Sequence, residues 1–305
     1  MLDLSTTTDT PWTVDVVFWL VDKSFVRQVA DERFDLLESV RGYAAEHLCT
    51  DGRYAGSGEA AAAAAQLRHW RHFGRLDERA AVANGCVETS TLVVACRRAV
   101  ALADAPSAIG AMVGAWAALR LRGPIRVGAE LAALVRTLPG LHARQQSEAD
   151  WVAGSALYVL GEVTQAHEPF DQGLVLADAA DDKHCEARLL VATATQLAAE
   201  GHTREALDHL NRAHSLAQEL NDRSLKCPVL NDLGNLSDHQ GFLEEARGVY
   251  EGALALARDL GDRRLEGALP GNLGGVQRDH GRLDEARRHD DMALALAREV
   301  GDRRW

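Results

Sequence analysis

A 40-residue period in the second half of this 305-residue chain restricts its fold more than any other feature. The segment GFLEEAR begins at Gly241 and GRLDEAR at Gly281, and related segments begin at Gly161 and Gly201. One alanine keeps the same phase in all four units: Ala166, Ala206, Ala246 and Ala286. Because a single helical hairpin cannot bury its apolar face alone, this period predicts stacked hairpins.

Small and aromatic residues recur at fixed places within each unit. We expect Gly234 to let the first helix (helix A) approach the second (helix B), and Gly241 to end helix A in a left-handed conformation. Ala246, Tyr250 and Ala253 then share one face of helix B. These residues resemble the tetratricopeptide repeat at that family's spacing. The resemblance implies an all-α right-handed superhelix, with four such repeats in residues 147–305.

The last unit departs from this pattern. Asp290 stands where Phe170 and Tyr250 stand in other units. Pro270 falls inside the predicted helix A and should kink or shorten it, because proline has no backbone N–H. The sequence also stops where a capping helix is expected, so we expect the last hairpin to be capable of self-association.

The resemblance implies a partner-binding groove, because the A helices of such stacks line the concave face. The positions predicted to point into it are Asn231, Asn235, Asp238, His239, Arg278 and Asp279. The two asparagines would pair with an extended peptide backbone, since an amide both donates and accepts. The alternative is that they satisfy neighbouring helix ends. Gly271 and Gly275 take their places in the next unit, so we expect this ladder of amides to stop there.

Residues 20–48 differ from the helical remainder. SFVRQVA and RFDLL flank a turn-like Asp-Glu pair, which predicts a two-stranded hairpin between two helices. This element resembles the winged-helix end of the signal-transduction ATPases with numerous domains (STAND), which include AfsR-like and MalT-like bacterial regulators. There it closes the nucleotide-binding module and precedes tetratricopeptide repeats. We expect a partial winged helix in residues 1–50, without ATPase activity, because the sequence has no P-loop motif.

Residues 51–146 read as a connector of degenerate helical hairpins. The segment EAAAAAAQLRHWRHFGRLDERAAV predicts one long helix. TSTLVVACRRAVALADA and AIGAMVGAWAALRLRG are expected to pair as a hairpin.

Composition excludes several classes of function. The net charge is −12, and residues 15–48 hold seven acidic against four basic side chains, whereas nucleic-acid binding needs clustered Lys and Arg. His69 and His72 lack a third metal ligand at a suitable spacing, and no hydrolase or kinase motif occurs. The five cysteines form no C-x-x-C pair, which suits free thiols in a reducing cytoplasm. We therefore expect a cytoplasmic protein without enzymatic activity, cofactor, metal or membrane segment.

The sequence thus predicts a non-catalytic protein–protein interaction module, the sensor or partner-binding arm of a signalling regulator. The alternative is the C-terminal part of a larger STAND ATPase-linked transcription regulator, Ser/Thr kinase or cyclase whose effector domain is absent from this chain. A third interpretation, the product of a decayed gene, predicts a molten thermal profile in place of a cooperative transition.

Overall fold

The computed structural model describes residues 20, 26–30, 33–36, 38–53 and 57–300. Contacts between residues divide the chain into two compact units, residues 1–72 and 73–305. Across these described segments, the fold is helical apart from one pair of strands. The domain boundaries that the sequence predicts, after residues 50 and 146, stay a prediction.

Each unit is a continuous run of elements. The first unit contains β1 (Val26–Ala30), β2 (Arg33–Leu36), α1 (Glu38–Cys49) and α2 (Glu59–Phe73), of which Phe73 belongs to the second unit. The second unit contains α3 (Glu78–Cys86), α4 (Thr89–Ala101), α5 (Ala105–Arg122), α6 (Ile125–Arg136), α7 (Ala143–Val159), α8 (Val163–Ala179), α9 (Lys183–Ala199), α10 (Thr203–Glu219), α11 (Arg223–His239), α12 (Leu243–Leu260), α13 (Arg263–Asp279) and α14 (Leu283–Val300).

The two strands of the first unit form an antiparallel pair. Val26 lies opposite Leu36 and Gln28 opposite Phe34, and the register shifts between Gln28 and Ala30. α1 begins two residues after β2. The helix that the sequence predicts before the strands lies outside the described residues. The assignment of this element to a winged helix stays a prediction.

The single long helix predicted for residues 59–82 is wrong, because the chain turns at Gly74 between α2 and α3. A Cβ at Gly74 would lie 2.8 Å from the Ser107 backbone, so the chain passes α5 too closely for a side chain. Asp77 then begins α3, and its Oδ1 accepts a hydrogen bond from the Ala80 N–H over 2.7 Å. This bond satisfies one free N–H of the first helical turn and stabilises a new helix start. The predicted pairing of α4 with α5 is found.

The helices of the second half repeat every 40 residues. Helix A of successive repeats is α7, α9, α11 and α13, which begin at residues 143, 183, 223 and 263. A glycine with positive φ follows the end of each: Gly161, Gly201, Gly241 and Gly281, with φ of 81°, 86°, 81° and 74°. Because glycine has no Cβ, it adopts this left-handed conformation at the least cost. The predicted ends of helix A at Gly241 and Gly281 are confirmed.

Helices A and B of each repeat meet at a small residue. A Cβ at Gly234 would lie 2.5 Å from the Tyr250 ring, so only glycine leaves room for this buried aromatic side chain. Gly154 faces Phe170 in the same way. In the second repeat, Ala194 packs in one apolar cluster with Leu210, which takes the place of the aromatic residue. The close approach predicted for Gly234 is confirmed.

The last repeat is more regular than the sequence predicts. Pro270 does not shorten α13, which has the same 17 residues as the other A helices. The ring is buried, and this packing outweighs the loss of one backbone hydrogen bond. The side chain of Asp290, in the place of the aromatic residue, accepts a hydrogen bond from Arg278 over 2.8 Å.

Replacing Gly234 by alanine should overpack the third repeat, because the new Cβ would press on the buried Tyr250 ring. We expect the free energy of unfolding to fall by about 1–3 kcal/mol. The matched control is Gly248→Ala, at an exposed position of α12 where a new Cβ has no neighbour within 4 Å. This control should stabilise the chain by about 0.5–1 kcal/mol. Chemical denaturation measures both changes.

Tyr250→Leu in the Gly234→Ala background reproduces the Ala194–Leu210 pair of the second repeat. The double variant should therefore lose less stability than the two single variants together. If the losses of stability were additive, the contact between positions 234 and 250 would not be the source of the destabilisation.

Candidate binding cavity

The inner layer of the second unit lines one large cavity. Its helices α5, α7, α9, α11 and α13 contact one another in succession, and α3 contacts both α5 and α14. The cavity has a volume of about 980 Å³ and is lined by residues of α3, all five inner helices and the end of α14. The stack therefore bends far enough for its first and last helices to share one cavity.

A carboxylate of α3 lies among arginines of the inner layer. The two oxygens of Glu78 bind different partners, with Oε1 2.6 Å from an Nη atom of Arg188 and Oε2 3.2 Å from one of Arg120. The Arg188 guanidinium also lies over the Trp151 ring, 3.5 Å from its centroid, in a cation–π contact. All four residues line the cavity. An ion pair between residues 110 positions apart thus connects α3 with α9.

Glu78 stays negatively charged and Arg120 positively charged at neutral pH. Burial and the positive charge of Arg264 lower the pKa of Arg120 to about 10. Burial alone would raise the pKa of Glu78, but Arg188 and Arg120 lower it more, so its pKa lies below the ordinary value. Burial and Arg188 lower the pKa of His184, which is therefore neutral near pH 7. The fixed positive charge of the cavity comes from its arginines.

A network of amides and one carboxylate adjoins the arginines. Asp232 Oδ1 accepts hydrogen bonds from the side-chain amides of Asn231 and Asn235, over 2.7 and 3.1 Å. Its Oδ2 accepts from the Thr195 hydroxyl over 3.0 Å, and the Tyr250 hydroxyl donates to Asn235 Oδ1 over 2.7 Å. Burial raises the pKa of Asp232 although these bonds lower it. Such a satisfied network holds the amides in fixed orientations.

The expectation that the ladder of amides stops after Asn235 is wrong. Asn272 of the next repeat donates to Asn231 Oδ1 over 3.0 Å and to Asn235 Oδ1 over 3.2 Å. Asn272 stands 40 residues after Asp232, at a position on helix A next to the predicted one. The predicted positions themselves hold Gly271 and Gly275, which have no side chains. The ladder of amides therefore continues through the neighbouring position.

The six predicted groove residues fall into two groups. Asn231 lines the cavity, and Asn235 belongs to the adjoining network. Asp238 and His239 end α11, and Arg278 and Asp279 end α13. Eight residues separate His239 from Asn231, which is about 12 Å along a helix. The structure therefore brings the two asparagines together and places the other four residues at the far end of the inner layer, where Arg278 is held by Asp290.

Sequence reasoning missed Glu78, Arg120 and Arg188. The equivalent positions of the other repeats hold Glu148, Pro228 and Ala268, so the repeat pattern gives no signal for Arg188. Nothing in the sequence links Glu78 to a residue 110 positions later.

The described residues contain neither a metal-binding cluster nor a membrane-spanning helix. Within them, no group of three or more His, Cys, Asp or Glu side chains is placed to bind a metal. No helix in these segments is long and apolar enough to span a bilayer. The five cysteines, which lie in the described residues, form no disulfide bond, and all but Cys49 are buried.

Residues 226–303 match the tetratricopeptide repeat family model. A Rap protein complexed with Competence and Sporulation Factor is 15% identical, with a TM-score of 0.57 over 78% of this chain and 77% of that one. A STAND protein with a tetratricopeptide repeat sensor from Pyrococcus horikoshii is 14% identical, with a TM-score of 0.54. The match covers 95% of this chain but 46% of that protein. BtubC from P. vanneervenii is 16% identical, with a TM-score of 0.52 over 72% of this chain and 92% of that one.

No curated protein sequence is significantly similar to the chain. The solved structures establish similarity of fold, a superhelix of tetratricopeptide-like hairpins.

Replacing Asp232 by asparagine should destabilise the second unit, because an amide nitrogen would oppose donors from Asn231, Asn235 or Thr195. We expect a loss of about 1–3 kcal/mol in the free energy of unfolding. Asp208→Asn is the matched control at an exposed position of α10 and should change stability by less than about 0.5 kcal/mol. Equal stabilities of the two variants in urea would contradict the proposed role of the Asp232 network.

Proposed function

We propose that the chain is a non-catalytic protein-interaction module that captures a peptide or a partner segment in the cavity of its inner layer. The observation that carries this proposal is the cavity itself, about 980 Å³ in volume and lined by ion-paired arginines, an aromatic ring and the oriented amide of Asn231. Cavities of roughly 300–1,000 Å³ are typical of ligand-binding sites. The proposed occupant is an extended peptide or one face of a helix.

The lining offers the contacts that a peptide needs. Val191 and Pro228 supply partly exposed apolar surface, and Asn231 carries an amide with two donor hydrogens, one of which is used by Asp232. The arginines offer charged donors for carboxylates. Backbone and side chains of a peptide would therefore find different partners on neighbouring helices. The four predicted residues at the far ends of α11 and α13, Asp238, His239, Arg278 and Asp279, are proposed as the rim of an extended groove.

We propose that the module is the cytoplasmic sensor arm of a signalling regulator. Two proteins of similar fold support this context, a Rap protein complexed with Competence and Sporulation Factor and a STAND protein with a tetratricopeptide repeat sensor. A bound partner would contact several repeats together and stiffen the superhelix. If a linked module prefers the stiffened form, binding shifts its conformational equilibrium.

A peptide library displayed on phage and selected against the purified chain tests groove binding. Peptides selected by wild type should lose at least about tenfold in affinity with Ser155→Trp, which places an indole inside the cavity. Ser215→Trp, at an exposed position of α10, should retain affinity. Peptides that bind both variants equally would exclude the cavity as their site, provided that both variants keep the wild-type circular dichroism spectrum.

A second candidate function is the C-terminal arm of a larger STAND-type regulator. It is favoured by the similarity to the Pyrococcus horikoshii protein, of which this chain covers 46%. It is also favoured by the apolar side chains of α1, since Tyr43 is 56% and Leu48 37% exposed. These side chains are proposed to contact an upstream nucleotide-binding module.

The intact mass of the native protein, captured from its host with an antibody to the repeats, separates these candidates. A mass near the 33.0 kDa of this chain supports the separate adaptor. A much larger mass supports the regulator arm.

A further inference from the structure

Two arginines of the cavity bind a single glutamate, and a third arginine lines the same cavity. Arg120 and Arg188 bind the Glu78 carboxylate directly, and Arg264 lowers the pKa of the same carboxyl. We call Arg120, Arg188 and Arg264 the arginine cluster. They come from α5, α9 and α13, three different helices of the inner layer, whereas Glu78 comes from α3. The cluster therefore has the chemistry of a carboxylate-binding subsite that the chain's own glutamate fills.

Other acidic side chains near the cluster are engaged elsewhere. Asp262 faces Arg120, but its Oδ1 accepts from the backbone N–H groups of Arg264 and Leu265 at the start of α13. Asp232 faces Arg264 from within the amide network. Glu148 faces Arg188 and lies 3.9 Å from Arg144. Glu78 is the carboxylate that receives hydrogen bonds from two members of the cluster.

Glu78 is able to leave the cluster without the loss of α3. Its side chain is 33% exposed, so solvent and ligands reach it from the cavity. The attachment of α3 to the second unit includes an apolar contact as well, in which Val82 and Cys86 pack with Ala118 and Leu121 of α5. A rotation of the Glu78 side chain would free both guanidinium groups while this contact remains.

We propose that the arginine cluster binds an acidic side chain of an incoming peptide, and that Glu78 occupies this subsite in the free chain and is displaced by the peptide. This inference rests on the proposed function and adds the chemical class of the ligand, a peptide rich in Asp or Glu. Because the chain carries a net charge of −12, an acidic peptide is repelled except where the arginines concentrate positive charge.

Internal occupancy reduces the apparent affinity for a peptide. The apparent dissociation constant equals the intrinsic one divided by the fraction of molecules in which Glu78 leaves the subsite free. Removing the charge of Glu78 should therefore tighten binding, which is the reverse of what a merely structural ion pair predicts. Glu78→Gln is nearly isosteric and keeps hydrogen-bond acceptance through its amide oxygen.

A fluorescein-labelled hexaglutamate peptide, titrated with the full chain and followed by fluorescence anisotropy at low salt, tests the proposal. We expect Glu78→Gln to bind the peptide about tenfold more tightly than wild type. Arg188→Gln should abolish binding in both backgrounds, and Arg188→Lys should restore part of it because lysine keeps the charge without the planar fork. A hexaglutamine peptide should bind none of these proteins.

The matched control is Glu245→Gln, which makes the same change of charge at an exposed position of α12. An equal gain in affinity with this variant would attribute the effect to net charge and overturn the proposal. Unchanged affinity with Glu78→Gln, in a chain with a wild-type melting profile, would also overturn it. If Glu78→Gln unfolds α3, Glu78→Asp provides the second test, because its shorter side chain should weaken the ion pairs and tighten binding by a smaller factor.

The two proposals fail in different ways. In one outcome, the phage-selected peptides bind Ser155→Trp weakly but bind Glu78→Gln with the affinity of wild type. That result would support binding in the groove and contradict competition by Glu78. Hexaglutamate binding that depends on Arg188 and is unaffected by Ser155→Trp would retain the subsite and contradict capture of the peptide in the wider cavity.

Discussion

The close contact between the two helices of each repeat is the constraint on which the rest of the structure depends. It joins one small residue of helix A to one side chain of helix B, in the pairs Gly154–Phe170, Ala194–Leu210, Gly234–Tyr250 and Gly274–Asp290. In the first three pairs the sum of the two sizes stays nearly constant, since the shorter leucine meets alanine and the aromatic rings meet glycine. In the fourth pair the smaller Asp290 side chain is bound by Arg278. Because this contact recurs every 40 residues, the A helices stack in one layer and share one concave surface.

The curvature of the stack brings residues of distant helices together around one cavity. The inner helices contact one another in succession, and by the end of the described stack α14 reaches α3. That closure brings Glu78 to Arg188 and Arg120, and it encloses a cavity whose charged groups come from helices far apart in sequence. The protein is acidic as a whole, so the concentration of arginines on its inner surface is an electrostatic contrast that a partner can recognise.

The parts that sequence predicted are those with local causes. The period, the glycines at the ends of helix A and the small residue of the A–B contact each follow from conformational or steric needs within 40 residues. Pro270 was misjudged because burial in the stack outweighs its local cost. The turn at Gly74 was missed because its cause is α5, more than 30 residues later, and Glu78 was missed because its partners are set by curvature. Asn231 was found, but its contact with Asn272 depends on how adjacent repeats pack.

Binding in the cavity is tested most directly by amide hydrogen exchange of the full chain with and without a peptide selected for binding. We expect slower exchange in the inner helices α7, α9 and α11, whose side chains line the cavity, and little change in the outer helices α8, α10 and α12. We also expect faster exchange in α3, which loses its ion pairs when the peptide displaces Glu78. Protection confined to the outer helices would contradict the cavity as the binding site.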